Sequence, residues 1–360
     1  MAKLRHLVLS SLILSFVSLQ GCNKSGSDSS GNSVQGNSAN QTSTTNSPAQ
    51  TYDPGTLIEA RESAYNSIYV YKSGHNISLT FGVNQKLFSE SLYNPTDDRE
   101  LPALYTQFMT MSLIYPEKIE SILEIGSGGG RTAFYLHRYL PNARVTSVEL
   151  DPAVVEIAHK YFGVKDEKNF RIVTRDGRLF LANSKEKYDV ILIDAYRGTF
   201  IPFHLLTKEF YQIVKAHLAD GGVMAQNIEP STMLFDYDVN TLHDVFSQVE
   251  FYDAWIDDKT GGNVVLIAFD GKPFDISALR EKAGKCEKAY ALRYDPRQML
   301  YRRFTLRKVM NGDKPVYDVI NQFGNPTVGI DENAKTLTDD FAPVESLKAI
   351  EKHNRKWTNR

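Results

Sequence analysis

The chain has 360 residues, more than one average domain, with a net charge of −2 and a pI near 6.5. That length permits a substantial core, and the balanced charge offers no basic stripe for a phosphate backbone, so nucleic acid is excluded as a favoured partner. Two cysteines cannot build a disulfide framework.

The first element is a leader, residues 1–21. Lys3, Arg5 and His6 precede an apolar run from Leu7 to Leu19, too short to span a bilayer comfortably and proportioned as a secretory signal. The run ends Leu19-Gln20-Gly21-Cys22, which resembles a bacterial lipobox, with Gln20 a less usual residue at its position. The resemblance implies cleavage before Cys22, lipidation of that residue, and an exported protein anchored to a bacterial membrane on its periplasmic side, the outer membrane being the expected location. Residues 22–56 then read as a tether, since Ser, Asn, Thr, Gly and Gln dominate and apolar groups are too few to offset the entropy of ordering. Cys286 is left as the lone thiol, expected to be packed rather than reactive.

Residues 57–117 read as a small antiparallel β unit and a helix. Alternation over 65–72 and 76–82 predicts two strands about the turn Ser73-Gly74-His75, and 101–115 reads as a helix that Pro116 ends. From 118 to 272 strands and helices alternate, with predicted segments at 120–125, 132–140, 143–149, 152–161, 170–174, 178–183, 188–193, 204–218 and 222–227. Such alternation builds an α/β fold, a Rossmann-like, mostly parallel sheet covered on both faces. A helix over 232–247 and strands near 249–256 and 263–269, joined through Gly261-Gly262, predict the antiparallel terminal strand of a class I methyltransferase-type sheet. Residues 273–360 read as a C-terminal helical extension, with helices over 274–283, 297–308 and 344–353.

The most informative stretch is residues 122–131, ILEIGSGGGR. An apolar run carrying Glu124 opens through Gly126, Gly128, Gly129 and Gly130 onto a helix. Bare backbone N–H groups are expected there, free to receive a polar ligand. Three later strands end in Glu149, Asp176-Gly177 and Asp194, which places acids along the rim where open α/β sheets bind ligands. A dinucleotide fingerprint would need its third glycine where Arg131 stands. The spacing Glu124-x-Gly126-x-Gly128-x-Gly130 instead resembles the first motif of class I AdoMet-dependent methyltransferases and, with the rest of the chain, the spermidine synthase family. Ser127 lies outside any nucleophile elbow, His204 reads as a loop residue, and no His or Cys cluster has metal-ligand spacing.

The resemblance covers residues 63–360 and implies a sulfonium nucleoside, AdoMet or decarboxylated AdoMet, as co-substrate. Glu149 would accept the ribose hydroxyls and Asp176 the adenine amine, with Gly177 leaving room for the ring. The tail and sulfonium would lie over Gly126, Ser127, Gly128 and Gly130, between Glu124 and Asp194. Gln85, in Gly82-Val83-Asn84-Gln85, looks like the family residue that contacts the nucleoside tail. Tyr105 falls on the tyrosine of the Tyr-His-Glu amine-binding motif, Asp194 on the first acid of the Asp-x-x-Asp gate, and Phe210-Tyr211 on the aromatic pair that closes that loop.

Four positions depart from the family. Gly129 replaces the acid that holds the aminopropyl ammonium, and is expected to leave space for an intact donor carboxylate. Arg197 replaces the second gate acid, and Thr106-Gln107 replace His-Glu. Tyr105, Gln107, Arg197 and Tyr211 remain on the acceptor side. A fixed guanidinium would disfavour a diamine by roughly several kcal/mol at short range and favour an anionic acceptor, unless Arg197 pairs with Glu209 or Asp194 and only pins the loop. Three readings stay open: aminopropyl transfer to a small amine with Asp194 at the transfer point, AdoMet-dependent methylation of a small anionic molecule, or non-catalytic binding of a nucleoside or polyamine by an exported lipoprotein. A homodimer is also left open.

Overall fold

Strand β1 (Thr56–Glu62) begins an antiparallel sheet that runs in order through β2 (Ser67–Ser73), β3 (Asn76–Phe81) and β4 (Ser91–Tyr93). The computed structural model describes residues 55–82, 89–197, 201–228, 234–255, 262–290, 292–312, 314–321, 326–330 and 333–343. The leader, Cys22, the expected tether up to residue 54, Gln85 and the expected helix over 344–353 lie outside the described residues, and the last tether residue, Thr56, already belongs to β1. The expected hairpin is β2–β3, where Ser73 faces Asn76 across Gly74, whose φ of 59° suits a two-residue turn. Strands β1 and β4 were not expected. Leu57 and Ile58 of β1 are exposed, so its apolar pattern does not alternate, and β4 has only three residues.

Helix α1 (Leu104–Met109) and a 3-10 turn (Thr110–Ile114) together fill the span expected to be one helix. The main sheet follows. Its parallel half is β5 (Ser121–Ile125), β6 (Arg144–Glu149), β7 (Phe170–Thr174), β8 (Tyr188–Ile193) and β9 (Leu218–Ile228). Every residue of β5 and β8 is buried, as a strand covered on both faces requires. Alternate residues divide between two cores: Ile122, Val190 and Leu192 pack on one face, and Leu123, Ile125, Ile191 and Ile193 on the other.

Helices α2 (Arg131–Tyr139), α3 (Pro152–Tyr161), α4 (Gly177–Ala182), α5 (Lys208–Ala216) and α6 (Leu234–His243) connect or flank these strands. Strands β10 (Gln248–Trp255) and β11 (Gly262–Phe269) supply the expected antiparallel pair, with β11 between β9 and β10. The chain builds β5, β6 and β7 in one direction and then returns to place β8 and β9 on the other side of β5. That reversal puts the crevice of an open α/β sheet at the carboxyl ends of β5 and β8.

The C-terminal part corrects the sequence expectation. Helix α7 (Ile276–Tyr290) and the four-residue α8 (Pro296–Met299) are present, but β12 (Arg303–Asn311), β13 (Lys314–Asn321) and β14 (Pro326–Gly329) then extend the main sheet beyond β10. Packing against β10 decides this. Phe304 stacks on Phe251 with ring centroids 5.1 Å apart. Arg303 donates through Nε to Glu250 Oε2 at 2.6 Å and through Nη2 to Oε1, and Glu250 also accepts from the Tyr115 hydroxyl at 2.6 Å. A buried pair satisfied on both sides ties β12 to the sheet, whereas either charge alone would be costly to bury.

The N-terminal sheet is docked onto the main domain at the glycine loop. Ser91 of β4 accepts from Gly129 N at 2.9 Å, and the Arg131 guanidinium lies 4.2 Å above the Tyr93 ring. Glu59 of β1 accepts from Lys160 and Tyr161 of α3 at 2.6 and 2.7 Å.

Candidate active site

The glycine loop is shaped by what passes over it. Gly126, Gly128 and Gly130 have φ of 91°, 51° and 69°, a region costly for residues with a Cβ. At Gly126 a Cβ would stand 2.3 Å from the carbonyl oxygen of Asp194 and 2.6 Å from Ala195 Cα. The backbone leaving β8 therefore crosses the loop at contact distance, and Asp194 N donates to Ile125 O at 2.8 Å. Glycine here brings the ends of β5 and β8 together.

The loop's N–H groups are not bare, which corrects the expectation from the sequence. Ser127 N and Gly128 N donate to Glu149 Oε2 at 3.0 and 3.1 Å, Asp151 N donates to Oε1 at 3.1 Å, and Gly129 N donates to Ser91. With the Leu150 N–H, four backbone donors thus converge on Glu149, about as many as a carboxylate's lone-pair sites, so a ribose hydroxyl would have to share or replace one of them. Burial pushes the Glu149 carboxyl up, and these N–H groups pull it back. A loop whose donors already hold a carboxylate presents acid rather than an anion site, so it is suited to a cation and not to a pyrophosphate.

Glu124 lies within β5 and Asp194 directly follows β8, near enough for the charge of one to act on the other. Glu124 is 2% exposed and accepts from Ser147 Oγ at 2.5 Å. Burial pushes its pKa to about 8, and the charges of Asp194 and Glu149 add to the shift against the Ser147 hydroxyl and the Ala133 N–H. Asp194 is pushed to about 6, again by burial, with hydrogen bonds from Asn227 and Tyr105 opposing the shift. Asn227 Nδ2 donates to Asp194 Oδ1 at 2.8 Å, and Asn263 Nδ2 donates to Asn227 Oδ1 at 2.8 Å. The second bond orients the first amide, so its N–H must point at the carboxylate. Neither asparagine was singled out from the sequence. The available signal was the polar pair Gln226-Asn227 following the apolar run Val223–Ala225 of β9, both buried.

Asp176 lies at the end of β7 and caps α4, accepting from Leu179 N at 2.8 Å. Its Oδ2 is 3.3 Å from His204 Nε2, so His204 belongs to this end of the site rather than to an isolated loop. A Cβ on Gly177 would come within 2.3 Å of Ile125 Cγ2; glycine lets α4 start directly against β5. Leu150, Leu179 and Phe203 are exposed apolar side chains next to Glu149, on the α4 turn that Asp176 caps, and next to His204. Acids beside exposed apolar groups suit an aromatic base carrying amino and hydroxyl groups.

The deciding comparison concerns the segment that holds these residues. Residues 104–275 match the spermine/spermidine synthase domain. A polyamine aminopropyltransferase of Vibrio vulnificus is 29% identical over 297 residues, which cover 81% of this chain and 92% of that protein. Over residues 104–275 the chain carries a spermine/spermidine synthase domain. A polyamine aminopropyltransferase of Neisseria meningitidis is 27% identical, covering 66% of this chain and 90% of its own length. The crystal structure of a probable spermidine synthase from Corynebacterium glutamicum superposes with a TM-score of 0.55 at 20% identity, over 62% of this chain and 86% of that one, which supports the fold.

Set beside the family pattern, the acceptor end keeps some expected residues and redirects others. The Tyr105 hydroxyl bonds Asp194 and reaches the Glu90 carbonyl oxygen at 3.1 Å, so the pairing of Tyr105 with Asp194 is present. Glu90 was not expected. After burial and the charge of Asp194, its charge also raises the Tyr105 hydroxyl's pKa, which places a second carboxylate at this end. The Gln107 amide turns back to the Leu101 carbonyl oxygen at 2.8 Å. Tyr211 is fully buried, its hydroxyl held by Asp238 and Gln226. It offers no surface to a substrate, which corrects its assignment to the acceptor site.

Gly129 does not open the space expected of it. A Cβ there would lie 2.6 and 2.9 Å from two Phe162 ring atoms and 3.0 Å from Ser91 Cβ, so the ring and the β4 serine already fill the position. Arg197 is exposed and forms no ion pair among the described residues; Glu209 instead accepts from Asp339 N at 2.9 Å. Burial, Asn227 and Tyr105 account for the shift at Asp194, with no contribution from Arg197. A solvated guanidinium of this kind repels a bound diamine by under about 1 kcal/mol, too little to exclude one. Among the described residues no group of three or more His, Cys, Asp or Glu is placed to hold a metal ion.

Proposed function

We propose that the protein is an aminopropyltransferase that binds an AdoMet-type sulfonium nucleoside along the rim and passes its three-carbon chain to an amine. The observation carrying this reading is the placement of Asp194 at the switch point, bonded by Asn227 and Tyr105 and near enough to Glu124 for its charge to raise that acid's pKa. The site suits the group: the base end is acidic and apolar, the loop presents a carboxylate, and buried acids offset a positive charge that is costly to desolvate. The nucleoside supplies an electrophilic carbon bonded to a positive sulfur. Asp194 and Tyr105 orient the acceptor nitrogen toward that carbon. As the C–N bond forms and the C–S bond breaks, the bonding pair stays on sulfur as a neutral thioether. Asp194 accepts the nitrogen's proton, a role suited to a carboxylate titrating near neutrality. Glu90 and Asp194 together favour an amine over an anion as the acceptor.

Methyl transfer from AdoMet is the second reading, and Glu124 in the methyltransferase-like spacing favours it. Calorimetric titration of residues 55–360 with decarboxylated AdoMet, AdoMet and methylthioadenosine, followed by turnover with diamines, separates the two. Tight binding of the decarboxylated donor with diamine turnover is the expected result, and preference for AdoMet would replace it with the second reading. If none of the three binds, both are lost.

Export on a lipid anchor is part of the same proposal, motivated by the Leu19–Cys22 sequence. Cys22→Ser is expected to move the protein from the membrane to the soluble fraction, and a variant still pelleting with membranes would overturn the anchor.

A further inference from the structure

The pair formed by His204 and Asp176 does not hold itself together. His204 lies in a 3-10 turn (Phe203–Leu205), and the link from that turn to α4 passes through Arg178. Arg178 Nη1 donates to the His204 carbonyl oxygen at 2.9 Å. The same guanidinium is gripped on two prongs by Asp339, at 2.8 and 2.6 Å. Asp339 Oδ1 also accepts from the Thr207 hydroxyl at 2.7 Å, and Thr207 caps α5 directly after the turn. One carboxylate from far along the chain thereby joins the helix that begins beside Asp176 to the turn that carries His204.

The segment presenting Asp339 is itself anchored. Leu337 is fully buried, its N–H donating to Thr241 Oγ1 at 2.8 Å and its carbonyl accepting from Lys208 N at 2.8 Å. Thr338 and Phe341 exchange backbone hydrogen bonds at 2.9 and 3.0 Å, closing a tight loop around Asp339. Thr336 Oγ1 donates to Asp244 Oδ2 at 2.6 Å. A paired fork of this kind fixes direction as well as distance, and its anchors lie on α5, α6 and the end of α6.

We propose that residues 337–341 complete the nucleoside end of the site, and that Asp339 is a positioning residue which, through Arg178 and Thr207, sets His204 against Asp176. The inference rests on the proposed nucleoside binding. In consequence the C-terminal segment tunes affinity for the base without touching the reacting atoms.

The test uses the full chain and methylthioadenosine as probe. Asp339→Ala is expected to weaken methylthioadenosine binding and raise the donor KM about tenfold, with kcat at saturating donor within about twofold of wild type. Asp339→Asn keeps the size and an acceptor for Thr207 but loses one prong of the charged fork, and should fall between the two. His204→Ala should weaken binding similarly, and its combination with Asp339→Ala should cost no more than either alone, since both act through one contact. Unchanged affinity in folded Asp339→Asn, or full additivity of the two alanine variants, would overturn the positioning role, even if thermal stability fell. Failure of the wild-type protein to bind methylthioadenosine would instead overturn the nucleoside reading beneath it.

Discussion

Asp194→Asn is expected to lower transfer by about a hundred- to ten-thousand-fold, the range associated with removing a positioned general base, and to make the protein more stable at pH 8. The stability gain follows from the raised pKa. In the fold Asp194 titrates near 6 rather than 3.8, so both folded and unfolded chains hold the proton below 3.8. As pH rises through the folded value, the unfolded chain is favoured. A shift of this size corresponds to about 3 kcal/mol at most. A neutral amide avoids that cost, and the local bonds can be kept. The carbonyl of the substituted side chain would accept from Asn227 while its amide donates to the Tyr105 oxygen, whose own proton can go to the Glu90 carbonyl oxygen. Thermal unfolding of the two proteins should therefore diverge at pH 8 and converge near pH 4. The wild-type rate should rise as pH passes upward through about 6, as base catalysis by this carboxylate requires. Turnover by Asp194→Asn within tenfold of wild type would remove Asp194 from the chemistry.

The difference between the sheet's two halves shows what the amino-acid pattern can carry. Strands β5 and β8 are covered on both faces, so they read as unbroken apolar runs, and each ends in a residue that must sit on the rim. That is why Glu124 and Asp194 could be assigned to the carboxyl ends of their strands from the sequence. Strand β12 gave no such pattern: the helix expected over 297–308 does begin helically, with Pro296–Met299 helical and Leu300–Arg302 a 3-10 turn, but Leu306, Arg307 and Lys308, which also have good helix propensity, lie in the strand. Its conformation is decided by Phe251 and Glu250, about fifty positions away, and tertiary packing overrides local preference in such cases.

The site divides in the same way. Strand-end acids follow from local order, whereas their partners arrive from distant segments. Ser91 meets Gly129, Asn227 and Asn263 reach Asp194, Phe162 fills the place opposite Gly129, and Asp339 grips Arg178. None of these pairings is announced by spacing. Tyr211 shows the opposite error: an aromatic residue in the right order along the chain is turned inward, because Asp238 and Gln226 take its hydroxyl. Motif position locates a residue on an element, and packing decides which way it serves.

Glu124 gives the second large effect, because it is a buried acid expected to meet a cation. At pH 7 a carboxyl titrating near 8 is mostly protonated. A sulfonium or ammonium placed over the glycine loop would favour its ionised form and pull that pKa down. Binding of a cationic donor should therefore release a proton near neutral pH, and its affinity should rise between pH 6 and pH 9. Methylthioadenosine, which has the base and ribose but no positive sulfur, should show neither effect. Glu124→Gln keeps the shape and an acceptor for Ser147 but cannot ionise. It should weaken the sulfonium donor by about tenfold or more, leave methylthioadenosine within about twofold, and abolish the proton release seen by calorimetry in buffers of different ionisation enthalpy. The variant should also gain stability above pH 8, on the order of a few kcal/mol, and lose the advantage below 4.5, where both states of the wild type hold the proton. Equal weakening of the charged and neutral nucleosides would mean that Glu124 shapes the loop without sensing charge, and the acidic rim would then lose its claim to recognise a cation.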